Sequence, residues 1–276
     1  MLHGRGMADR DTGELRRLWL EGLSSGARRI NRDIPIDERD VRIVWYADVL
    51  DPRSAEGCDY SLADRRSRRD AAADPNLKAF VSVVGGFLGA ATSLVADGEA
   101  AAQLRSLAAD ASFLTDARKR CASERRLSDA IARAAAEGRP VIVVAHSLGS
   151  LVAYDYLSAL NDTAVVQRLV TVGSMVGSTD LRRLLIGGDD ADTLAMPKSV
   201  VGWVNVRNDA DPLAAPISVG SNVTTYTSPG ETDPHEMVGY LRNAVTAATV
   251  LRGWCAAFAA RASRGCSEYL RPAPSP

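Results

Sequence analysis

Residues 141–157, VIVVAHSLGSLVAYDYL, restrict the possible folds more than any other stretch of the chain. Four β-branched residues in a row favour a buried strand. The following LGSLVAYDYL carries its apolar residues at helical spacing. So little sequence separates the two patterns that the backbone must turn sharply at Ser147. In a strand-turn-helix of this kind the residue at the tip takes a strained conformation, and the positions two before and two after it must be small. Ala145 and Gly149 meet that demand. Such a turn lifts the serine hydroxyl above the carboxyl edge of the sheet. The helix beginning at Leu148 directs its amide groups and the positive end of its dipole into the same space, where an oxygen anion can be held. The competing reading is an ordinary strand-to-helix loop whose serine caps the helix.

Elsewhere the sequence alternates helical and strand patterns, which predicts an α/β fold with a mostly parallel sheet and helices on both faces. Leu15, Leu18, Trp19 and Leu23 set an early helix, and VRIVWYADVL (41–50) reads as a buried strand. A charged helix at about 113–137 leads into the turn, and a helix over 148–160 leaves it. Strands are expected at 167–173, 199–207 and 221–227, with a short helix near Leu181 and a last helix from about Glu236 to Ala260. This organisation predicts a single domain over 1–270 with an insertion at 51–112, and a disordered tail at 271–276. Within the insertion, 51–75 is rich in Arg, Asp, Ser and Ala and reads as a surface excursion. Residues 79–96 (AFVSVVGGFLGAATSLVA) carry no charge. They predict a buried or lid-forming helix, with contact at a membrane surface or a minimal span as the alternatives.

A chain of 276 residues with 33 basic and 34 acidic side chains has a net charge of -1, so nothing in its overall balance recruits nucleic acid or an anionic membrane. Cys58, Cys121, Cys255 and Cys266 form no C-x-x-C pair and no metal-ligand spacing with histidine, which predicts reduced structural thiols and no metal site. The N-terminal MLHGRGMADRD lacks the apolar core of a secretory signal. A cytoplasmic location is expected from it, with association to a membrane through 79–96 as the variant. The oligomeric state is left open.

The strand, the AHSLG turn and the helix together resemble the nucleophile elbow of the α/β-hydrolase superfamily, in particular its lipase and esterase-like members. Ala145 stands where the common G-x-S-x-G pattern has its first glycine. The resemblance implies acyl transfer through Ser147, with no cofactor. A serine hydroxyl needs a base, and the chain has three histidines. His146 is fixed beside the nucleophile and His3 belongs to another motif, which leaves His235 in the loop TSPGETDPHEM, where the superfamily carries its histidine. The acid is expected after the preceding strand, in WVNVRNDADPLAAP. Asp211 is preferred there and Asp209 is the alternative, each with a solvated turn aspartate as the bland reading. HGRG (His3 to Gly6) resembles the loop that supplies a second oxyanion donor, which assigns that role to the amide of Arg5 beside that of Leu148. The expected substrate is a small-molecule acyl ester or lipid. Thioester hydrolysis, acyl transfer to another acceptor, or a silent binding module on the same fold are the other readings.

Overall fold

A computed structural model of the chain describes residues 1–4, 7, 10–34, 36–51, 53–59, 110–160, 165–178, 194–217, 223–228, 234–257 and 266. Its centre is a four-stranded, all-parallel sheet in the order β1 (Ile142–His146), β2 (Arg168–Val172), β3 (Trp203–Asn208) and β4 (Val223–Ser228). One row of the register runs Ala145, Thr171, Asn205, Thr225. Leu2 extends this array beyond β1, bridging Ala145 on one side and Val44 on the other, both in parallel. Its amide donates to the Val144 carbonyl at 2.8 Å, and its carbonyl accepts from the His146 amide at 3.2 Å. The backbone leading into His3 therefore lies directly beside the strand that carries Ser147.

Both faces of the sheet are covered over β1 to β3, which is why these strands are buried almost throughout, whereas β4 at the edge exposes Thr224, Tyr226 and Thr227. The helices are α1 (Thr12–Arg28), α2 (Ala47–Leu50), α3 (Ala117–Ala136), α4 (Leu148–Ala159), α5 (Met237–Arg242) and α6 (Ala244–Ala257). On one face Val143, Ala145, Leu169 and Trp203 pack with Leu127 and Ile131 of α3 and Leu151 and Val152 of α4. On the other, Val144, Val170, Val172, Val204 and Val206 pack with Trp19 and Leu23 of α1, Leu241 of α5 and Val250 of α6. The alternation along each strand is the two-residue period of the pleat. Asp11 caps α1 by accepting from the Glu14 amide, and Asp116 caps α3 by accepting from the Arg118 and Lys119 amides.

Three expectations change. The stretch 41–50 is not a strand: Val44 alone bridges Leu2, and Ala47–Leu50 forms a helical turn. Pairing ends because the Tyr46 amide donates to the His3 ring nitrogen Nε2 instead of to a neighbouring strand. The final helix is broken at Asn243, whose extended backbone and side-chain oxygen, accepting from the Val245 amide at 2.8 Å, begin α6 afresh. The cysteines are not reduced thiols. Cys58 bonds Cys121, and Cys255 bonds Cys266, pairs that the fold brings together from positions 63 and 11 residues apart. Residues 79–96, the greater part of 51–112, the short helix near Leu181 and the tail 271–276 lie outside the described residues. Among the described residues no helix is long and apolar enough to cross a membrane, and no cluster of His, Cys, Asp and Glu could hold a metal ion.

Candidate active site

Ser147 sits between the end of β1 and the first residue of α4 with φ 51° and ψ −123°. Among the described non-glycine residues only Asn31 and Ser147 have positive φ. A backbone of this kind costs about 1–3 kcal/mol and persists where its surroundings hold it. Here the Ser147 amide donates to the Val172 carbonyl at 3.2 Å, and the Ser147 carbonyl accepts from the Ser150 amide at 2.9 Å. Replacing Ser147 by glycine is expected to raise stability by about 1 kcal/mol, because glycine takes this conformation without strain. A higher urea midpoint with an unchanged m-value is the confirming measurement.

The two small neighbours have separate reasons. A Cβ at Gly149 would stand 2.5 Å from the His3 carbonyl oxygen and 3.0 Å from the Leu2 Cβ, so the helix can approach the sheet only with glycine there. Ala145 is fully buried and joins the core on the α4 face, where its one methyl group is accommodated.

Two segments far along the chain close on the serine. His235 lies in the turn just before α5, its Nε2 2.9 Å from the Ser147 Oγ, and its Nδ1 2.8 Å from the Asp211 Oδ2. An ionised carboxylate can only accept, so Nδ1 carries the imidazole proton and Nε2 is left with a lone pair aimed at the hydroxyl. Asp211 follows β3 and its side chain is fully buried. Burial, the largest influence, pushes its carboxyl up. Hydrogen bonds from His235, from the Tyr240 hydroxyl at 2.7 Å and from the Leu213 amide at 2.9 Å outweigh burial and hold it below the usual carboxylate range. Asp209 faces away, exposed and paired with Arg207. Met175 borders the serine hydroxyl, its Sδ 3.8 Å from Oγ.

The loop after Leu2 supplies the remaining wall. A Cβ at Gly4 would lie 2.9 Å from the Ser147 Cβ and 2.7 Å from the His146 Nδ1, so this backbone touches the turn itself. His3 is buried behind it, stacked on Tyr46 at 4.1 Å, with Nδ1 donating to the Gly4 carbonyl at 2.7 Å. Burial lowers its pKa to about 4, so it stays neutral near pH 7. Leu148 opens α4 and its amide is among the donors a helix start leaves without an intrahelical acceptor. Arg5 lies outside the described residues.

Sequence reasoning missed the side chains that fix this constellation. Tyr240 on α5 donates to Asp211, and its oxygen accepts from the Asn208 amide at 3.0 Å. The Asn208 side chain donates to the Pro234 carbonyl at 3.2 Å, one residue before the imidazole. The His146 Nε2 donates to the His235 carbonyl at 2.7 Å, which tethers the same loop to β1. Burial, reinforced by the nearby His235, lowers the pKa of His146 to about 3. No pattern in the sequence marks these contacts, since each joins elements remote from one another.

A family model described as lecithin:cholesterol acyltransferase matches residues 125–205, a span that holds the later part of α3, then β1, Ser147, α4 and β2. With the parallel sheet and the sharp turn at its carboxyl edge, that match decides the fold family. The chain is a lipase-like α/β-hydrolase. No curated protein and no solved structure matches it. The hydrolase fold places the described site where such sheets bind ligands, outside the carboxyl ends of the strands.

Proposed function

We propose that this α/β-hydrolase cleaves a carboxylic ester, of a lipid or another hydrophobic acyl compound, through Ser147, His235 and Asp211. The observation that carries the reading is the chain of contacts at 2.9 and 2.8 Å from hydroxyl to imidazole to carboxylate. In the first step the Ser147 Oγ attacks the acyl carbonyl carbon while its proton passes to the His235 Nε2, and Asp211 stabilises the imidazolium. The oxyanion is held by the Leu148 amide and, as the HGRG motif suggests, by that of Arg5, each donor worth about 3 kcal/mol. The imidazolium protonates the leaving alcohol, the C–O ester bond breaks, and an acyl-serine remains. Water, deprotonated by His235, then attacks that ester and frees the acid and Ser147.

The family match supports a lipid ester as substrate and also favours a second reading, in which an alcohol replaces water in the last step. The uncharged sequence 79–96 supports a hydrophobic acyl group and contact with a lipid surface. The two disulfides weigh against the cytoplasmic location expected from the N-terminal sequence, because such bonds persist in oxidising surroundings.

A serine-directed fluorophosphonate probe tests the proposal. Labelling of the native chain and none of Ser147→Ala is the expected result, followed by a rising kcat/KM along a series of esters of increasing chain length. Absence of labelling in the native chain would instead support a silent binding module. Adding a long-chain alcohol acceptor separates the two enzymatic readings by the ratio of new ester to free acid.

A further inference from the structure

Tyr240 stands in the wall of the site with its hydroxyl 2.7 Å from the Asp211 Oδ2, the same oxygen that accepts from His235. A phenol has one proton to give. Because the Tyr240 oxygen already accepts from the Asn208 amide at 3.0 Å, the hydroxyl is turned and its proton is committed to the carboxylate. The ring is buried among Val206, Met237 and Leu241, a setting that phenylalanine would fill equally well. What only the hydroxyl supplies is the third donor to Asp211 and the acceptor for a buried amide.

We propose that Tyr240 is a positioning residue, which fixes the Asp211 carboxylate in register with His235 and sets the pH range in which the pair works. This rests on the triad reading above. The charged and titratable groups around the pair are His146 from β1, Arg207 at the end of β3, itself paired with Asp209, and Tyr240 from α5, with His3 behind His146. His146 and His3 remain neutral near pH 7, their pKa values lowered to about 3 and about 4 chiefly by burial. Burial, followed by the bond to Asp211, pushes the Tyr240 phenol well up, so it keeps the proton it donates.

A donor that stabilises the carboxylate as an anion makes the Asp211–His235 pair harder to protonate. Removing it works in the opposite direction. Tyr240→Phe is expected to move the acid limb of the kcat/KM profile upward by about half a pH unit, the scale of one hydrogen bond to a charged group after partial compensation. Placing 3-fluorotyrosine at position 240 keeps the shape and strengthens the donor, and is expected to move the limb downward. It also provides the measurement should Tyr240→Phe not fold. A structural role alone would lower melting temperature or yield and leave the limb where the wild-type chain has it, and that result overturns the proposal. The fluorophosphonate result separates the two readings. If the native chain is not labelled, both fall. If it is labelled at Ser147 and neither position-240 variant shifts the limb, the Tyr240 proposal falls alone.

Discussion

Alanine at position 235 is expected to lower kcat for ester hydrolysis by about 10⁴- to 10⁶-fold, the range in which removal of a triad base acts. Without His235 the Ser147 hydroxyl keeps only the weak contact to the Met175 sulfur, 3.8 Å away. The neighbouring imidazole cannot take over. The His146 Nε2 is committed to the backbone carbonyl of residue 235, which an alanine retains. Its other nitrogen, Nδ1, is buried and faces the Gly4 backbone, where a Cβ would lie 2.7 Å away. Asp211→Asn is expected to cost about 10⁴-fold by presenting the wrong tautomer of His235 to the serine. Its loss is not additive with that of His235→Ala, because the two side chains act as one unit. Steady-state kinetics on a short-chain aryl ester, with circular dichroism to confirm folding, measures the two variants and their combination. Activity of His235→Ala within tenfold of the wild-type chain would sink the assignment.

Gly149→Ala is expected to destabilise the fold by about 3 kcal/mol, the upper part of the range for overpacking a close-packed interior. The added methyl carbon would meet the His3 carbonyl oxygen at 2.5 Å. That oxygen cannot easily retreat, since the adjoining Leu2 is hydrogen-bonded to β1 on one side and bridges Val44 on the other. On the far side α4 is buried along its length, from Leu148 to Leu157, so the helix cannot shift outward without opening the core. Gly202→Ala is the control: nothing lies within 4 Å of its Cβ position, and a change below about 0.5 kcal/mol is expected. Urea unfolding monitored by tryptophan fluorescence gives both values. A Gly149→Ala midpoint equal to that of the control would show that the turn tolerates a wider approach than its geometry indicates.

The elements nearest the elbow were legible because their signals are local. The run IVVAH became β1, and LGSLVAYDYLSA became α4, with strand periodicity on one side, helix periodicity on the other and small residues at the junction. The same holds for RLVTV and WVNVRN, strands buried on both faces. Reading failed where a residue's partner lies far along the chain. VRIVWY has the composition of a strand, but the Tyr46 amide is claimed by His3, and the pairing stops at Val44. The helix from 236 onward has no proline, and its glycines, Gly239 and Gly253, lie away from the break, yet Asn243 restarts it with its own side chain.

By itself, then, the sequence determined the alternation of strands and helices and the sharp turn that presents Ser147, since both follow from residues within a few positions of one another. Only the tertiary structure set Asp211, and not Asp209, against His235, paired the cysteines, and brought in Tyr240 and His146. Two aspartates separated by one residue in a turn are equivalent to any local rule. Chain folding sends one to Arg207 and solvent and the other into a buried space already lined by an imidazole and a phenol. Which groups share that space depends on contacts between residues 24 to 88 positions apart, and no short-range pattern encodes them.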